Sequence, residues 1–226
     1  HHSIAPSMYP KLDYDLERDF VPLTLIALVP QVLVVNPKNP ATGPADFVEN
    51  AKKQRTSLAS SGRGSVPHLA GELLADATKA QLVDVPYKGA APAITDVMAG
   101  HVDGFFGDVP GLIGHVRAGR LKPIAMAAEQ RHPLLPDVKT FKEVGIDGVD
   151  SDNWYALFGP KGMSAEDTNR VGQALKRALE TPAVKERLLN SGTLPAASSP
   201  AELQALLQKD IAKWGRVIRE KNITAD

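Results

Sequence analysis

Three times in succession, a short run of β-branched, apolar or aromatic residues hands the chain to a helix N-terminus. TSLAS leads into SVPHLAGELLADATKA, LVDVPY into KGAAPAITDVMAG, and VDGFFGD into VPGLIGHVRAG. A further strand-like run, LKPIAMA, follows. Strands alternating with helices in this order pair in parallel through right-handed crossovers, with the helices packed over the sheet. The alternation confines the chain to the α/β class. It also puts each strand-to-helix turn beyond the carboxyl end of its strand, where open α/β sheets hold their ligands.

The segments on either side fit the same class. FVPLTLIALVPQVLVV, from Phe20 to Val35, is apolar but interrupted by Pro22, Pro30 and Gln31. It falls short of a membrane span and reads as two short buried strands. NPKNPATGP then leads into a helix near Ala45 to Gln54, with Pro44 suited to its first turn and Asp46 to its N-terminal dipole. In the helix after Pro67, Leu69, Leu73, Leu74 and Ala77 share one face. NWYALFGP is a strand, and only helices are expected after it. Ser199, Pro200 and Glu202 start a capping box, and Leu203, Leu206, Leu207, Ile211, Trp214, Val217 and Ile218 form one apolar stripe.

These late helices have more apolar surface to bury than the few strands near them can receive. The opening HHSIAPSMYPKLDYDLERDF has no cap or glycine turn that would begin a domain, and His1 and His2 read either as native or as the stub of a tag. The expected organisation is therefore a complete α/β lobe at 26–148 and an incomplete one from 1–25 and 149–226. The stripe Leu203, Leu207, Ile211, Trp214 and Ile218 should then be partly uncovered unless another chain or a rearranged segment covers it, with self-association or poor stability as the consequence.

Charge and composition exclude several functions. Lys plus Arg equals Asp plus Glu at 26 each, so no basic excess points to nucleic acid. Six Phe, four Tyr and two Trp are too few for a base-stacking platform. The absence of cysteine removes disulfides, thiolate zinc sites, iron-sulfur ligation and cysteine nucleophiles. There is no GxSxG elbow, no GxxxxGK[ST] loop and no histidine pair at metalloprotease spacing. No metal or catalytic set is expected.

Binding residues are easier to name. Between strand and helix, Ser60, Ser61, Gly64 and Ser65 form a small-residue turn whose free N–H groups, with the helix dipole, suit a carboxylate or phosphate. The alternative is that Ser65 only caps the helix. Lys88, Gly89, Ala90 and Ala91 stand at the next junction, where Lys88 either pairs with an anion or is simply solvated. Asp108 stands at the third, either receiving a ligand hydroxyl or amine or capping the helix that follows. His68 is expected to be a packed, hydrogen-bonded histidine, and Trp154 to be core or hinge packing or the wall of a cleft. The turn at Gly62–Gly64, with Asp84 near the spacing of a ribose acceptor, weakly imitates a dinucleotide fingerprint, but Pro67 stands where the third glycine belongs.

SSGRGSVPHLAGELL, VPYKGAAPAITDVMAGHVDGFF, LPDVKTFKEVGIDG, NWYALFGPKGMS and the stretch HSIAPSMYPKLDYDLERDFVPLTLIALVPQVLVVNP resemble motifs of the Bug solute-binding proteins, the extracytoplasmic receptors of tripartite tricarboxylate transporters. The resemblance covers nearly the whole chain. It implies a two-lobed periplasmic-binding-protein type II fold with the first lobe incomplete, because the family's opening strand and PFxxGGxxD loop have no counterpart here. It further implies a periplasmic, non-enzymatic receptor without cofactor that holds a small organic carboxylate between its lobes and presents it to the transporter's membrane components. Ser60, Ser65, Gly89, Ala90 and Asp108 are the positions to which the resemblance extends. Two rival readings are a nucleotide-dependent enzyme using the Gly62–Gly64 turn and a ligand-sensing regulatory domain, although no DNA-binding helix pair or basic patch accompanies the latter.

Overall fold

The computed structural model describes residues 2–9 and 11–224, so His1, read as native or as part of a tag stub, lies outside it. The chain divides into two compact units, one built from the residues up to Val29 together with those from Trp154 onward, the other from Pro30–Asn153. Each unit has its own sheet. The boundaries expected at 25/26 and 148/149 shift for local reasons. Residues 26–29 complete a strand that pairs within the first unit. Ser151 is tied into the second, its N–H donating to the carbonyl of Ala127 at 2.9 Å.

The first unit opens with α1 (Ala5–Met8) and β1 (Phe20–Val29). The second runs β2 (Gln31–Val35), α2 (Pro44–Lys53), β3 (Thr56–Ser60), α3 (Val66–Thr78), β4 (Leu82–Pro86), α4 (Ala90–Ala99), β5 (Gly104–Asp108), α5 (Val109–Arg117) and β6 (Lys122–Met126). The chain then returns to the first unit through β7 (Asn153–Pro160), α6 (Ala165–Glu180), α7 (Pro182–Asn190), β8 (Leu194–Pro195) and α8 (Pro200–Glu220). The two-residue β8 has no periodic signal and was not expected among the late helices.

In the second unit the strand order is β4-β3-β5-β2-β6. β3 pairs in parallel with β4 and β5, as the alternation requires. β2 departs from it, lying antiparallel between β5 and β6. A central strand covered on both faces needs no polar side, and every residue of QVLVV is buried. Side chains alternate across it. Val32 and Val34 join Phe105, Val97, Leu112 and Ile113 on the α4 and α5 side, while Leu33 and Val35 join Phe106, Phe47, Val48 and Leu74 on the α2 and α3 side. On α3, Leu69, Leu73 and Leu74 are buried as expected, whereas Ala77 is exposed.

The first unit holds the sheet β7-β1-β8. The expectation of an uncovered α8 stripe fails here. Leu203, Leu207, Trp214 and Ile218 are at most 3% exposed and Ile211 is half-buried, because α8 packs against β1 and α1. The α1 helix, formed by the opening that carried no cap signal, supplies the surface that strand counting omitted. The stripe thus gives no motive for self-association. The capping box forms as expected: Ser199 Oγ accepts from the Glu202 N–H at 3.2 Å, and Glu202 Oε2 accepts from the Ser199 N–H at 2.7 Å. Among the described residues no helix is long and apolar enough to cross a membrane.

Candidate functional site

All three turns named from the sequence lie at one end of the second unit's sheet. Ser60 pairs in register with Pro86 at the ends of the parallel strands β3 and β4, and Ala59 pairs with Phe105 in β5, so Asp108 lies at the same end. The first two turns touch. The Tyr87 N–H donates to the Ser60 carbonyl at 3.0 Å, and a Cβ on Gly62 would stand 3.6 Å from the Tyr87 carbonyl oxygen.

Within the first turn the structure separates the candidates. Ser60 is fully buried and its hydroxyl donates to the Gly62 carbonyl at 3.4 Å, so it shapes the turn rather than opening onto it. Gly64, expected to present a free N–H, donates it instead to His68 Nδ1 at 3.0 Å. The Ser65 N–H donates to the Gly62 carbonyl at 3.1 Å. Ser61 stays half-exposed. Ser65 Oγ is buried with no hydrogen-bond partner and does not cap α3. An N-cap oxygen accepts from the N–H of the second or third helical residue; Pro67 removes the first of these donors, and Ser65 does not take the other, that of His68.

The second turn offers its backbone. Gly89 adopts φ +107°, a Cβ there would meet nothing within 4 Å, and no side chain caps the N-terminus of α4 among the described residues. Ala90 and Ala91 are exposed, and their N–H groups precede the first residues able to bond within the helix. Lys88 is exposed and makes no ion pair among the described residues. These N–H groups and the positive end of the α4 dipole favour an anion.

The third turn differs. Asp108-Val109-Pro110 repeats the pattern of Ser65-Val66-Pro67, and again the side chain at the N-cap does not cap. The Val109 N–H is taken by the Pro30 carbonyl at 3.0 Å, so little of this helix end is left for an anion. Asp108 Oδ1 instead accepts from Asn153 Nδ2 at 2.7 Å and from Gln31 Nε2 at 3.3 Å, while Gln31 Oε1 accepts from Ser151 Oγ at 2.9 Å. Burial pushes the Asp108 carboxyl above the usual carboxylate range, more strongly than the Asn153 and Gln31 amides pull it down. Gly107, next to it on β5, leaves room for neighbouring side chains: a Cβ there would stand 2.5 Å from Phe105 Cε1 on the same strand and 2.8 Å from Leu112 Cδ1 on α5.

Gln31, Ser151 and Asn153 were not named from the sequence. Gln31 carried the one available signal, a lone amide inside an apolar run, which must find a partner once buried. The raised Asp108 pKa has a testable sign. A carboxyl that holds its proton more tightly when folded contributes stability at low pH and loses it as pH rises through the folded pKa. Asp108→Asn keeps an acceptor toward Asn153 and Gln31 without a charge. In urea melts from pH 4 to 7, its stability relative to wild type should therefore improve as pH rises, and the opposite trend would refute the burial argument.

The geometry does not suit the nucleotide reading. Asp84 pairs with Leu58 in the middle of β4 rather than beyond its end, and its Oδ2 lies 3.9 Å from His68 Nε2. Trp154 donates from Nε1 to the buried Asp210 Oδ2 at 2.7 Å, a packing role within the first unit.

The model of the TctC family, the tripartite tricarboxylate transporter family receptors, matches residues 1–223. The chain belongs to this family. A UPF0065 protein from the tcbD-tcbE intergenic region of Pseudomonas sp. strain P51 is 33% identical over 221 residues, which are 96% of this chain and 66% of that protein. BugT of Bordetella pertussis is 29% identical over 220 residues, 96% of this chain and 68% of BugT. This TctC-family chain thus spans about two thirds of the length of these relatives. Among solved structures, an R. palustris protein with adipate matches 97% of this chain and 75% of its own, at 28% identity and a TM-score of 0.84. MatC of Rhodopseudomonas palustris, with bound malate, matches 96% and 76% at 29% identity and a TM-score of 0.77. The periplasmic binding protein BugD matches 99% and 76% at 27% identity and a TM-score of 0.81, so the α/β fold is that of this receptor class.

Proposed function

We propose that this chain is a non-enzymatic receptor that captures a small organic carboxylate at the shared ends of β3 and β4, outside the cytoplasmic membrane, and presents it to the membrane components of a tripartite tricarboxylate transporter. The observation that carries the reading is the Ser65 hydroxyl, buried and unpartnered, in the turn adjoining the one that leads into α4. A hydroxyl donor and a set of backbone N–H groups match the two oxygens of a carboxylate without needing a cationic side chain. Asp108, acidic and supplied with donors of its own, serves as an acceptor for a ligand hydroxyl or amine. Malate, adipate and citrate are the probes the family and its solved members suggest.

Titration calorimetry of the chain against these three acids should give saturable binding to at least one. Ser65→Ala should weaken it about tenfold to a hundredfold, the range for a hydrogen bond to a charged group. The same substitution should leave folding stability unchanged or slightly raised, since the lost hydroxyl had no partner. Ser199→Ala, which removes a working cap, should cost about 1 kcal/mol. Binding by none of the acids, or binding insensitive to Ser65, would overturn the reading.

A further inference from the structure

His68 stands on the first turn of α3, only 7% exposed, directly behind the turn that carries Ser65. Its Nδ1 accepts the Gly64 N–H at 3.0 Å, so that nitrogen bears no proton and the neutral ring carries its hydrogen on Nε2. Nε2 faces two carboxylates from different elements, Glu72 Oε1 at 3.7 Å one turn along α3 and Asp84 Oδ2 at 3.9 Å on β4. These carboxylates favour a hydrogen on Nε2 and therefore an open lone pair on Nδ1. An apolar side chain would fill the space between α3 and β4 without the cost of burying an imidazole.

The turn has a reason to need such a clamp. Gly62 at φ +122° and Gly64 at φ +69° both lie in backbone regions open chiefly to glycine, and a segment with two such residues has many competing conformations. Ser60 Oγ secures its first half through the Gly62 carbonyl. The Gly64–His68 bond secures its second half, one residue before Ser65.

We propose that His68 is a positioning residue for the ligand site. Its Nδ1 fixes Gly64 so that the Ser65 hydroxyl is held ready for the carboxylate, and Glu72 and Asp84 select the tautomer that makes this possible. The inference rests on the reading of Ser65 as a ligand donor, so its test includes measurements that need no ligand.

The first is the ring tautomer in the unaltered chain, read from nitrogen-15 shifts. Hydrogen on Nε2 is expected, and hydrogen on Nδ1 would overturn the proposal. The second compares His68→Leu with His68→Asn, whose side-chain oxygen matches the reach of Nδ1. Amide exchange of Gly64 should accelerate roughly tenfold or more in His68→Leu and return close to wild type in His68→Asn. Malate, or whichever of the three acids the wild type binds, should lose affinity in the same order, about tenfold in His68→Leu with most of it restored in His68→Asn. Unchanged Gly64 exchange in His68→Leu, or faster exchange with unchanged affinity, would overturn the proposal. If the wild type binds none of the acids, the reading of the site falls, while the clamp still stands or falls on the tautomer and on Gly64 exchange.

Discussion

Trp214→Ala is expected to destabilise the first unit by about 3–5 kcal/mol, the usual cost of deleting a fully buried indole. Trp214 is 1% exposed in the centre of the α8 stripe, with Leu203, Leu207, Val217 and Ile218 buried along the same helix. Lys213 Nζ lies 4.2 Å from the centre of its ring, and Asp210, one turn before it, accepts the Trp154 hydrogen bond. Opening a cavity there loosens α8 against β1 and α1 together. Trp214→Phe should cost much less. The Trp214 N–H is buried without a partner, so the smaller ring removes an unsatisfied donor along with the volume. Both tryptophans of the chain, Trp154 and Trp214, belong to this unit, and in Trp214→Ala the remaining Trp154 fluorescence follows its unfolding in urea. Sedimentation of the same variant should show the self-association that the wild-type packing of the stripe does not invite. A loss below about 1 kcal/mol would mean that the stripe is not the core of this unit.

Phe106→Ala should have a comparable effect on the second unit, again about 3–5 kcal/mol. Phe106 is fully buried on the α2 and α3 side of β5, its ring centre 6.1 Å from that of Phe141 and its neighbours Leu33, Phe47 and Leu74. It stands two residues before Asp108 on the same strand, so the cavity also loosens the strand end that holds the third turn. Far-UV circular dichroism in urea measures the loss, and tryptophan fluorescence, which reports the other unit, serves as the internal comparison. A variant as stable as wild type would show that α2 and α3 close over the gap.

The candidate site was partly legible because parallel strands force successive strand-to-helix turns to the same end of a sheet. Once TSLAS, LVDVPY and VDGFFGD are read as neighbouring parallel strands, the turns at Ser60–Ser65, Lys88–Ala91 and Asp108 must share that end, and they do. The repeated Ser65-Val66-Pro67 and Asp108-Val109-Pro110 also encode, within three residues, the loss of one of the two donors that each N-cap side chain could use. What the sequence could not divide was labour within the turn. The withdrawal of the Gly64 N–H by His68 and of the Ser60 hydroxyl by Gly62 depends on backbone angles that two glycines leave open.

Local information therefore determined the α/β class, the positions of the main strands and helices, the capping box at Ser199 and the end of the sheet where the three candidate turns gather, since each follows from side-chain period or from a residue's own backbone chemistry. Only the tertiary structure decided the antiparallel place of β2 between β5 and β6, the cover that α1 and β1 give to α8, and the partners of Asp108. Those outcomes join residues far apart in the chain: Gln31 with Asp108, Ser151 with Gln31, and α1 with α8. Pairings of that kind are selected by the burial of whole faces and the satisfaction of buried polar groups, which no short window of sequence contains.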